Sequence, residues 1–153
     1  MLGGFMQIIK YYHQKQLYSS RFNHEQAFLW VYQPGRGYSF ALWGRRPREA
    51  CDLPCGAIVD RQELLQGVWD IYCPSYVAIQ LDSFLIRGLD NRCYWFKVSQ
   101  GNVLLGLQLN SGNIKRIYCV VENILRPTTF IYWPRFVWVE AFNKINVKKP
   151  MNI

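Results

Sequence analysis

Short apolar and aromatic runs, separated by turn-forming residues, dominate the second half of the chain. The runs cover residues 76–87, 93–99, 103–110, 114–121 and 130–142. Between them stand Asp90-Asn91, Gln100-Gly101-Asn102 and Ser111-Gly112-Asn113, whose Gly and Asn residues tolerate the positive φ of hairpin turns. A spacing of about 8 to 12 residues is typical of antiparallel all-β folds. The pattern predicts a mainly β chain, an antiparallel meander with a barrel-like or sandwich-like arrangement.

One pairing within these runs can be tested for a consistent apolar face. A two-residue turn at Gln100-Gly101 would place three apolar pairs on one face. The pairs are Tyr94 with Leu107, Phe96 with Leu105, and Val98 with Val103. We therefore predict a hairpin between residues 93–99 and 103–110.

Residues 60–72 have the periodicity of a helix. Asp60 and Glu63 resemble a capping box at its start, and Pro74 prevents its continuation. An apolar stripe recurs at a period of about 3.6 residues through Leu64, Leu65, Val68, Trp69 and Tyr72. We expect one or two short helices beside the strands, with an α+β arrangement as the alternative.

Chain length sets the number of domains. The chain has 153 residues, half of them apolar, which is enough to bury a core. No internal repeat and no Pro/Gly/Ser-rich linker divides it. We predict a single domain over residues 1–153, with a frayed basic tail at residues 144–153.

Positive charge is concentrated in the two ends of the sequence. The net charge is +8, made up of +5 in residues 1–50, −2 in residues 51–100 and +5 in residues 101–153. Such an excess favours a polyanionic partner, either nucleic acid or an acidic protein. The first cation, Lys10, follows the apolar start of the chain, which is unlike a signal peptide. No apolar run reaches the ~20 residues of a membrane-spanning helix, so we expect a cytoplasmic protein without a membrane partner.

The few cysteine and histidine residues do not have the spacing of a metal site or of a catalytic Cys–His pair. Five cysteines are an odd number, so we expect reduced, mostly buried thiols rather than a disulfide framework. Cys51 and Cys55 have no neighbouring second pair that would complete a zinc site. Neither His13 nor His24 has a spacing that aims it at a thiol. We predict no metal and no cofactor, and the absence of common nucleotide-binding and hydrolase motifs favours a binding protein over an enzyme.

Residues 27–43, AFLWVYQPGRGYSFALW, carry the most informative pattern in the chain. Two apolar strands flank the turn residues Pro34-Gly35-Arg36-Gly37, and we predict that Gln33 pairs with Tyr38. One face would then hold Leu29, Val31, Phe40 and Leu42, with Gln33 and Tyr38 at its end, and the other Phe28, Trp30, Tyr32, Ser39, Ala41 and Trp43. This register divides the aromatic residues between two faces, of which only one can bind a partner. Burial of both faces in the core is the alternative.

Three arginines follow this hairpin directly. Aromatic rings stack on bases at ~1 to 3 kcal/mol each, and guanidinium groups hold phosphates, so the combination suits single-stranded nucleic acid. A solvated loop is the alternative for the arginines. The predicted residues that bind nucleic acid or another partner are Trp30, Tyr32, Arg36, Tyr38, Phe40, Arg45, Arg46 and Arg48. No catalytic residue is predicted.

A local resemblance supports this interpretation. Residues 36–43, RGYSFALW, resemble the ribonucleoprotein octapeptide of RNA-recognition motifs, and residues 32–40 are similar to the nucleic-acid-binding hairpin of cold-shock domains. The resemblance implies that Tyr38 and Phe40 stack on bases. It covers about nine residues, and Ser39 and Ala41 depart from the octapeptide. Val31 stands where a cold-shock domain presents tryptophan. No second strand with a ribonucleoprotein-like sequence follows in the expected place, so no family is assigned.

These patterns lead to two hypotheses about function. The first is a small non-enzymatic protein that binds single-stranded or structured nucleic acid through a basic, aromatic β surface. The second is a protein-interaction module, such as an inhibitor, an immunity-type protein or a regulatory protein, that docks on an acidic partner. Trp and Arg residues are enriched at protein interfaces as well, so composition alone does not separate the two.

Overall fold

The computed structural model describes residues 6–124, 130 and 132–144, and this part of the chain is mainly β, as predicted. It contains twelve strands and two short α-helices. The strands are β1 (Met6–His13), β2 (Gln16–Arg21), β3 (Phe28–Gln33), β4 (Gly37–Trp43), β5 (Ile58–Asp60), β6 (Ser75–Ile79), β7 (Ser83–Arg87), β8 (Cys93–Lys97), β9 (Asn102–Ser111), β10 (Ile114–Asn123), β11 (Tyr132–Pro134) and β12 (Phe136–Trp138). The helices are α1 (Arg61–Leu65) and α2 (Val139–Asn143).

Five of the strands close into a barrel. Their order is β10-β4-β3-β6-β9, and β9 also pairs with β10. The pairings are antiparallel except that of β4 with β10, which run parallel where Leu42 and Trp43 lie beside Arg116 and Ile117. Strands β5 and β11 pair with β10, and β12 pairs with β9, which extends the barrel sheet beyond the closed ring.

A second sheet of four strands, in the order β2-β1-β7-β8, lies against the barrel. Alternate residues of β1 and β7 point inward, so that Ile9, Tyr11, Phe84 and Ile86 are buried. They form one cluster with apolar residues from the barrel strands, including Leu29 and Val31 of β3, Ile79 of β6 and Ile117 of β10. The other face of this sheet is open to solvent.

A second cluster covers the outside of β9 and β10. Leu105 and Leu107 of β9 pack there with Tyr118 of β10, and the cover comes from Leu64 of α1 and Phe142 of α2. Residues 103–109 of β9 and 116–121 of β10 are therefore buried on both sides. Two-sided burial explains why these strands read as continuous apolar runs instead of alternating apolar and polar residues.

Gly106 of β9 allows close packing at the centre of the barrel. A Cβ at this position would lie 2.8 Å from Cδ1 of Ile79 and 2.9 Å from Cγ2 of Val77. We therefore expect Gly106→Ala to lower the free energy of unfolding in urea by roughly 1 to 3 kcal/mol, because the barrel is overpacked. Adding Ile79→Val removes the nearest methyl group, so the double variant should recover part of the loss. Strictly additive losses would contradict the proposed contact.

The predicted helix over residues 60–72 is shorter than expected. Asp60 caps α1 as predicted, with its carboxylate accepting a hydrogen bond from the backbone N of Gln62 at 3.0 Å. Gly67 has φ +79, and the chain leaves the helix there, continuing into a single 3₁₀ turn at Asp70–Tyr72. The predicted apolar stripe was partly wrong, because Leu65 and Val68 are exposed.

The predicted hairpin between residues 93–99 and 103–110 was wrong. β8 pairs with β7, with Phe96 opposite Phe84, whereas β9 pairs with β6 and β10. The pairing of apolar residues could not test the predicted register. Because β9 is apolar on both faces, any register would place apolar residues opposite one another. The run 76–87 divides into β6 and β7, and the described part of the run 130–142 forms β11, β12 and α2 instead of one strand.

The cysteines, the helix lengths and the basic tail can also be compared with the sequence predictions. All five cysteines are free, but Cys119 alone is buried, so the prediction of mostly buried thiols was wrong. None of the described helices has the length and apolar character needed to cross a membrane. Beyond Lys144, the predicted basic tail lies outside the described residues.

Candidate nucleic-acid interface

The hairpin of β3 and β4 has a register one residue away from the predicted one. Gln33 pairs with Gly37, not Tyr38, because Pro34-Gly35 forms a tight turn in which Arg36 N donates to Gln33 O at 3.0 Å. Gly35 has φ +81, as the third position of a type II turn requires. The loop therefore contains three residues instead of four. A shift of one residue moves every side chain of β4 to the opposite face relative to β3.

The corrected register brings the hairpin aromatic residues together. Trp30 lies opposite Phe40, and Tyr32 lies opposite Tyr38. Directly opposed residues share a face, so five of the six rings of the two strands lie on the outer side of the barrel, whereas Trp43 is buried inside. We call this surface the aromatic face, formed by Phe28, Trp30, Tyr32, Tyr38 and Phe40. The inner side of β3 carries the buried Leu29 and Val31.

Four rings of the aromatic face contact one another, and two of these, Tyr38 and Phe40, remain exposed to solvent. Trp30 stacks on Tyr38 with ring centroids 5.6 Å apart and an interplanar angle of 14°. Trp30 also contacts Phe40 at 4.6 Å, and Tyr32 contacts Tyr38 at 5.0 Å. Tyr38 is 56% exposed and Phe40 46% exposed. The rings therefore support one another's orientation while leaving area free to stack on a ligand.

The second sheet supports the aromatic face from one side. The ring centroid of His13, at the end of β1, lies 4.3 Å from that of Trp30 and 4.9 Å from that of Phe40, and both contacts are edge-on. Tyr11 donates a hydrogen bond to the carbonyl oxygen of Phe28 at 3.4 Å. Burial raises the pKa of Tyr11, with a smaller contribution from Tyr18, so its hydroxyl stays a donor at neutral pH.

Strand β4 presents an open edge beside the aromatic face. Trp43 N donates to Ala27 O at 2.8 Å, whereas Gly44 N donates to Ile117 O at 2.6 Å. Because backbone groups alternate along a strand, those of Tyr38 and Phe40 point toward the β10 side. In the described residues, β10 pairs with β4 only at Leu42 and Trp43. The backbone N–H and C=O groups of Tyr38 and Phe40 therefore have no strand partner among the described residues.

A groove of about 590 Å³ lies along this open edge. We call it the edge groove. Its walls include Phe28 and Phe40 from the aromatic face, Arg36 from the turn, and Lys115 of β10. Of the residues that the structure describes, no Asp or Glu lines it. Aromatic rings, backbone hydrogen-bonding groups and uncompensated cations therefore meet in one concave site.

Arg36 and Lys115 are the accessible cations of this site. Both side chains are exposed. Within the described part of the chain, neither forms an ion pair or a side-chain hydrogen bond. Their charges are free to attract an anion to the edge groove.

The side chains of Arg45 and Arg46, which were predicted to bind a partner, make their contacts within the protein. Arg46 is 3% exposed, and its guanidinium donates to the carbonyl oxygens of Phe22 at 2.7 Å and Trp43 at 2.8 Å. Arg45 donates to the carbonyl oxygens of Glu49 at 2.9 Å and Leu53 at 3.1 Å. Both arginines hold the loop after β4 in place. They lie outside the surface formed by the aromatic face and edge groove.

Glu49 joins this loop to the barrel. One of its carboxylate oxygens accepts from Arg46, and the other accepts from Nη1 of Arg116 of β10 at 2.9 Å. Burial acts to raise the pKa of Glu49, but hydrogen bonds from Arg46 and Arg116 outweigh it and lower the pKa to about 2. Glu49 is therefore ionised at neutral pH, and it compensates two arginines that are almost wholly buried.

Arg48, the last predicted arginine, is exposed within this loop. Its Nη2 donates weakly to Asn23 O at 3.4 Å, and its Nε lies 3.8 Å from Glu25. Of the eight predicted residues, the structure brings together Trp30, Tyr32, Arg36, Tyr38 and Phe40. Arg45, Arg46 and Arg48 belong to the neighbouring loop.

Three contributors to the site were missed in the predicted set. Phe28 has the same two-residue spacing as Trp30 and Tyr32, and this signal could have identified it. His13 and Lys115 come from other strands, and their position depends on the packing of β1 and β10 against the hairpin. No local pattern could have placed them.

Comparison of the chain with protein-family models, with curated proteins and with solved structures found no match. Within the described ranges, no group of three or more His, Cys, Asp or Glu side chains could hold a metal ion. The assignment of function therefore depends on the geometry and chemistry of the site itself.

Proposed function

We propose that the protein binds single-stranded nucleic acid through the aromatic face and edge groove. The observation that carries the proposal is the placement of five of the six hairpin rings on one outer face beside two unpaired cations. Tyr38 and Phe40 present exposed rings on which bases can stack. Stacking contributes ~1 to 3 kcal/mol for each base.

Phosphate contacts come from the cations next to the rings. Arg36 can form two parallel hydrogen bonds with a phosphate, whereas Lys115 contributes a compact charge on the other side of the edge groove. The unpaired backbone groups of Tyr38 and Phe40 supply both donors and acceptors for the edges of bases. This arrangement favours an extended strand that runs along β4.

Intrinsic tryptophan fluorescence provides the direct test, because Trp30 is part of the aromatic face. Titration with a mixed-sequence single-stranded oligonucleotide should quench the fluorescence to saturation. Two or three neutralised phosphates predict roughly tenfold weaker binding at about 200 mM than at about 50 mM salt. Trp30→Phe should remove most of the quenching and keep the binding. The proposal fails if fluorescence and anisotropy of a labelled oligonucleotide detect no binding at either salt concentration.

A protein partner is the second candidate, and the open edge of β4 is the observation that favours it. An unpaired strand edge can accept an extended peptide by strand addition, and Trp, Tyr and Arg residues such as Trp30, Tyr38 and Arg36 can anchor a protein interface. The absence of carboxylates from the groove would suit an acidic peptide. Titration with a poly-glutamate peptide of similar charge separates the two candidates, since such a peptide has no bases to stack.

A further inference from the structure

The charged side chains within the strands of the four-stranded sheet are all positive. Strands β1, β2, β7 and β8 contain no Asp or Glu, and each contains one cation. Ile9, Ser20 and Ile86, which directly precede Lys10, Arg21 and Arg87, are buried, and Phe96 before Lys97 packs against the core. The four cations therefore point outward. We call this surface the basic sheet face, formed by Lys10, Arg21, Arg87 and Lys97.

Within the described residues, none of these four cations is paired with a carboxylate. Arg21, Arg87 and Lys97 are exposed. Lys10 places its ammonium group 4.5 Å from the ring centroid of Trp95, a cation–π contact that leaves its charge uncompensated. Arg87 contacts the neutral amide of Asn91 at 3.5 Å. The face therefore holds four charges that attract anions.

The four cations spread across the whole width of the sheet. Lys10 lies opposite Ser83, which in turn lies opposite Lys97. Arg21 is on the outer strand β2 and Lys97 on the outer strand β8, three strand spacings apart. At about 4.8 Å for each spacing, the two outer strands lie about 14 Å apart. This width is comparable to that of a nucleic-acid groove, whose two sides carry phosphates.

The rings on this face are not arranged for base stacking. Tyr12 lies opposite Leu17 at one end of the sheet, whereas Trp95 lies opposite Leu85 and beneath Lys10. The two exposed rings are therefore not neighbours, unlike those of the aromatic face. Cations without a stacking surface suit phosphates held at fixed spacing, as in a duplex.

We propose that the basic sheet face binds the phosphate backbone of double-stranded nucleic acid. This inference goes beyond the proposed single-strand site, because it concerns different residues and a different form of nucleic acid. Contacts of this kind position a protein on a duplex without reading its sequence. The basic sheet face is therefore expected to bind duplexes of unrelated sequence with similar affinity.

The test measures the anisotropy of a labelled blunt-ended duplex of roughly 20 base pairs over a series of salt concentrations. Arg21→Gln with Lys97→Gln should lower affinity at least tenfold at about 50 mM salt and reduce the slope of log affinity against log salt by about 1.8. The matched control is Lys15→Gln with Lys144→Gln, which removes the same charge from a turn and from the residue after α2. The control should keep the wild-type slope.

The outcomes distinguish this inference from the proposed function. Tyr38→Ala with Phe40→Ala should keep duplex affinity, because these rings are not on the basic sheet face. If wild-type protein binds the duplex but not single strands, the proposed function fails and this inference stands. The inference is overturned if the wild type does not bind the duplex, including the case in which it binds only anionic lipid vesicles. It is also overturned if the sheet variant and its control bind the duplex equally.

Discussion

Replacing Glu49 with glutamine should lower the free energy of unfolding by about 3 kcal/mol at neutral pH. Glu49 is the carboxylate partner of both Arg46 and Arg116, whose side chains are only 4% and 10% exposed. Removing one partner of a buried pair leaves an uncompensated charge, at a cost of roughly 3 to 5 kcal/mol. Glutamine keeps an acceptor oxygen for one of the two arginines. The expected loss of unfolding free energy therefore lies at the lower end of this range. Urea unfolding at pH 7 measures it.

Acid should reproduce part of this loss in the wild-type protein. Folding lowers the pKa of Glu49 from 4.5 to about 2, so its contribution is complete above the unfolded value and is lost as pH falls toward 2. Glu49→Gln has no such group and should show a smaller decrease in stability between pH 5 and about pH 2.5. The unfolding free energies of the wild type and of Glu49→Gln, plotted against pH, should converge at the acid end.

Glu122→Gln is the matched control for Glu49→Gln. Glu122 also pairs with an arginine, Arg135, at 3.3 Å, but these side chains are 35% and 32% exposed. A solvent-exposed pair contributes about 0 to 1 kcal/mol, so this variant should unfold almost like the wild type. Equal losses in the two variants would contradict the assignment of Glu49 as the centre of a buried network.

The arginines show why local sequence could not assign these roles. Arg45, Arg46 and Arg48 after the aromatic hairpin look no different from Arg36 in its turn when only the sequence is considered. Their roles differ because Glu49 follows within the loop and Arg116 reaches it from β10, 67 residues away. Contacts with residues distant in the sequence therefore decide which arginine side chains are buried. Arg36 stays available because it is in the turn itself.

The hairpin shows how much a pattern of apolar residues can predict. The existence of β3 and β4 follows from their composition, and the turn follows from Pro34 and Gly35. The register depends on whether the loop has three or four residues, and both options place apolar residues on both faces. Only burial by the second sheet and the barrel distinguishes the core face from the aromatic face. That information is tertiary, and no short segment contains it.

Tyr38→Ala with Phe40→Ala should weaken binding of single-stranded nucleic acid by about 30-fold or more. Each ring contributes ~1 to 3 kcal/mol when a base stacks on it, and tenfold in affinity corresponds to about 1.4 kcal/mol. Stability should change much less than for buried rings, because both rings are about half exposed in the folded protein. Titration of a labelled oligonucleotide and urea unfolding of the same variant measure the two effects separately.

Trp138→Ala provides the control for this last prediction. Trp138 is 58% exposed, a value close to that of Tyr38, but it belongs to β12 and not to the aromatic face. If exposure of a ring were sufficient, Trp138→Ala would reduce affinity as much as the hairpin variant, and the aromatic face would lose its assignment. If Phe40→Ala alone instead lowers the free energy of unfolding by ~3 to 5 kcal/mol, as loss of a core ring does, Phe40 is a packing residue. Loss of affinity with retained stability, confined to the hairpin variant, is the outcome that the aromatic face predicts.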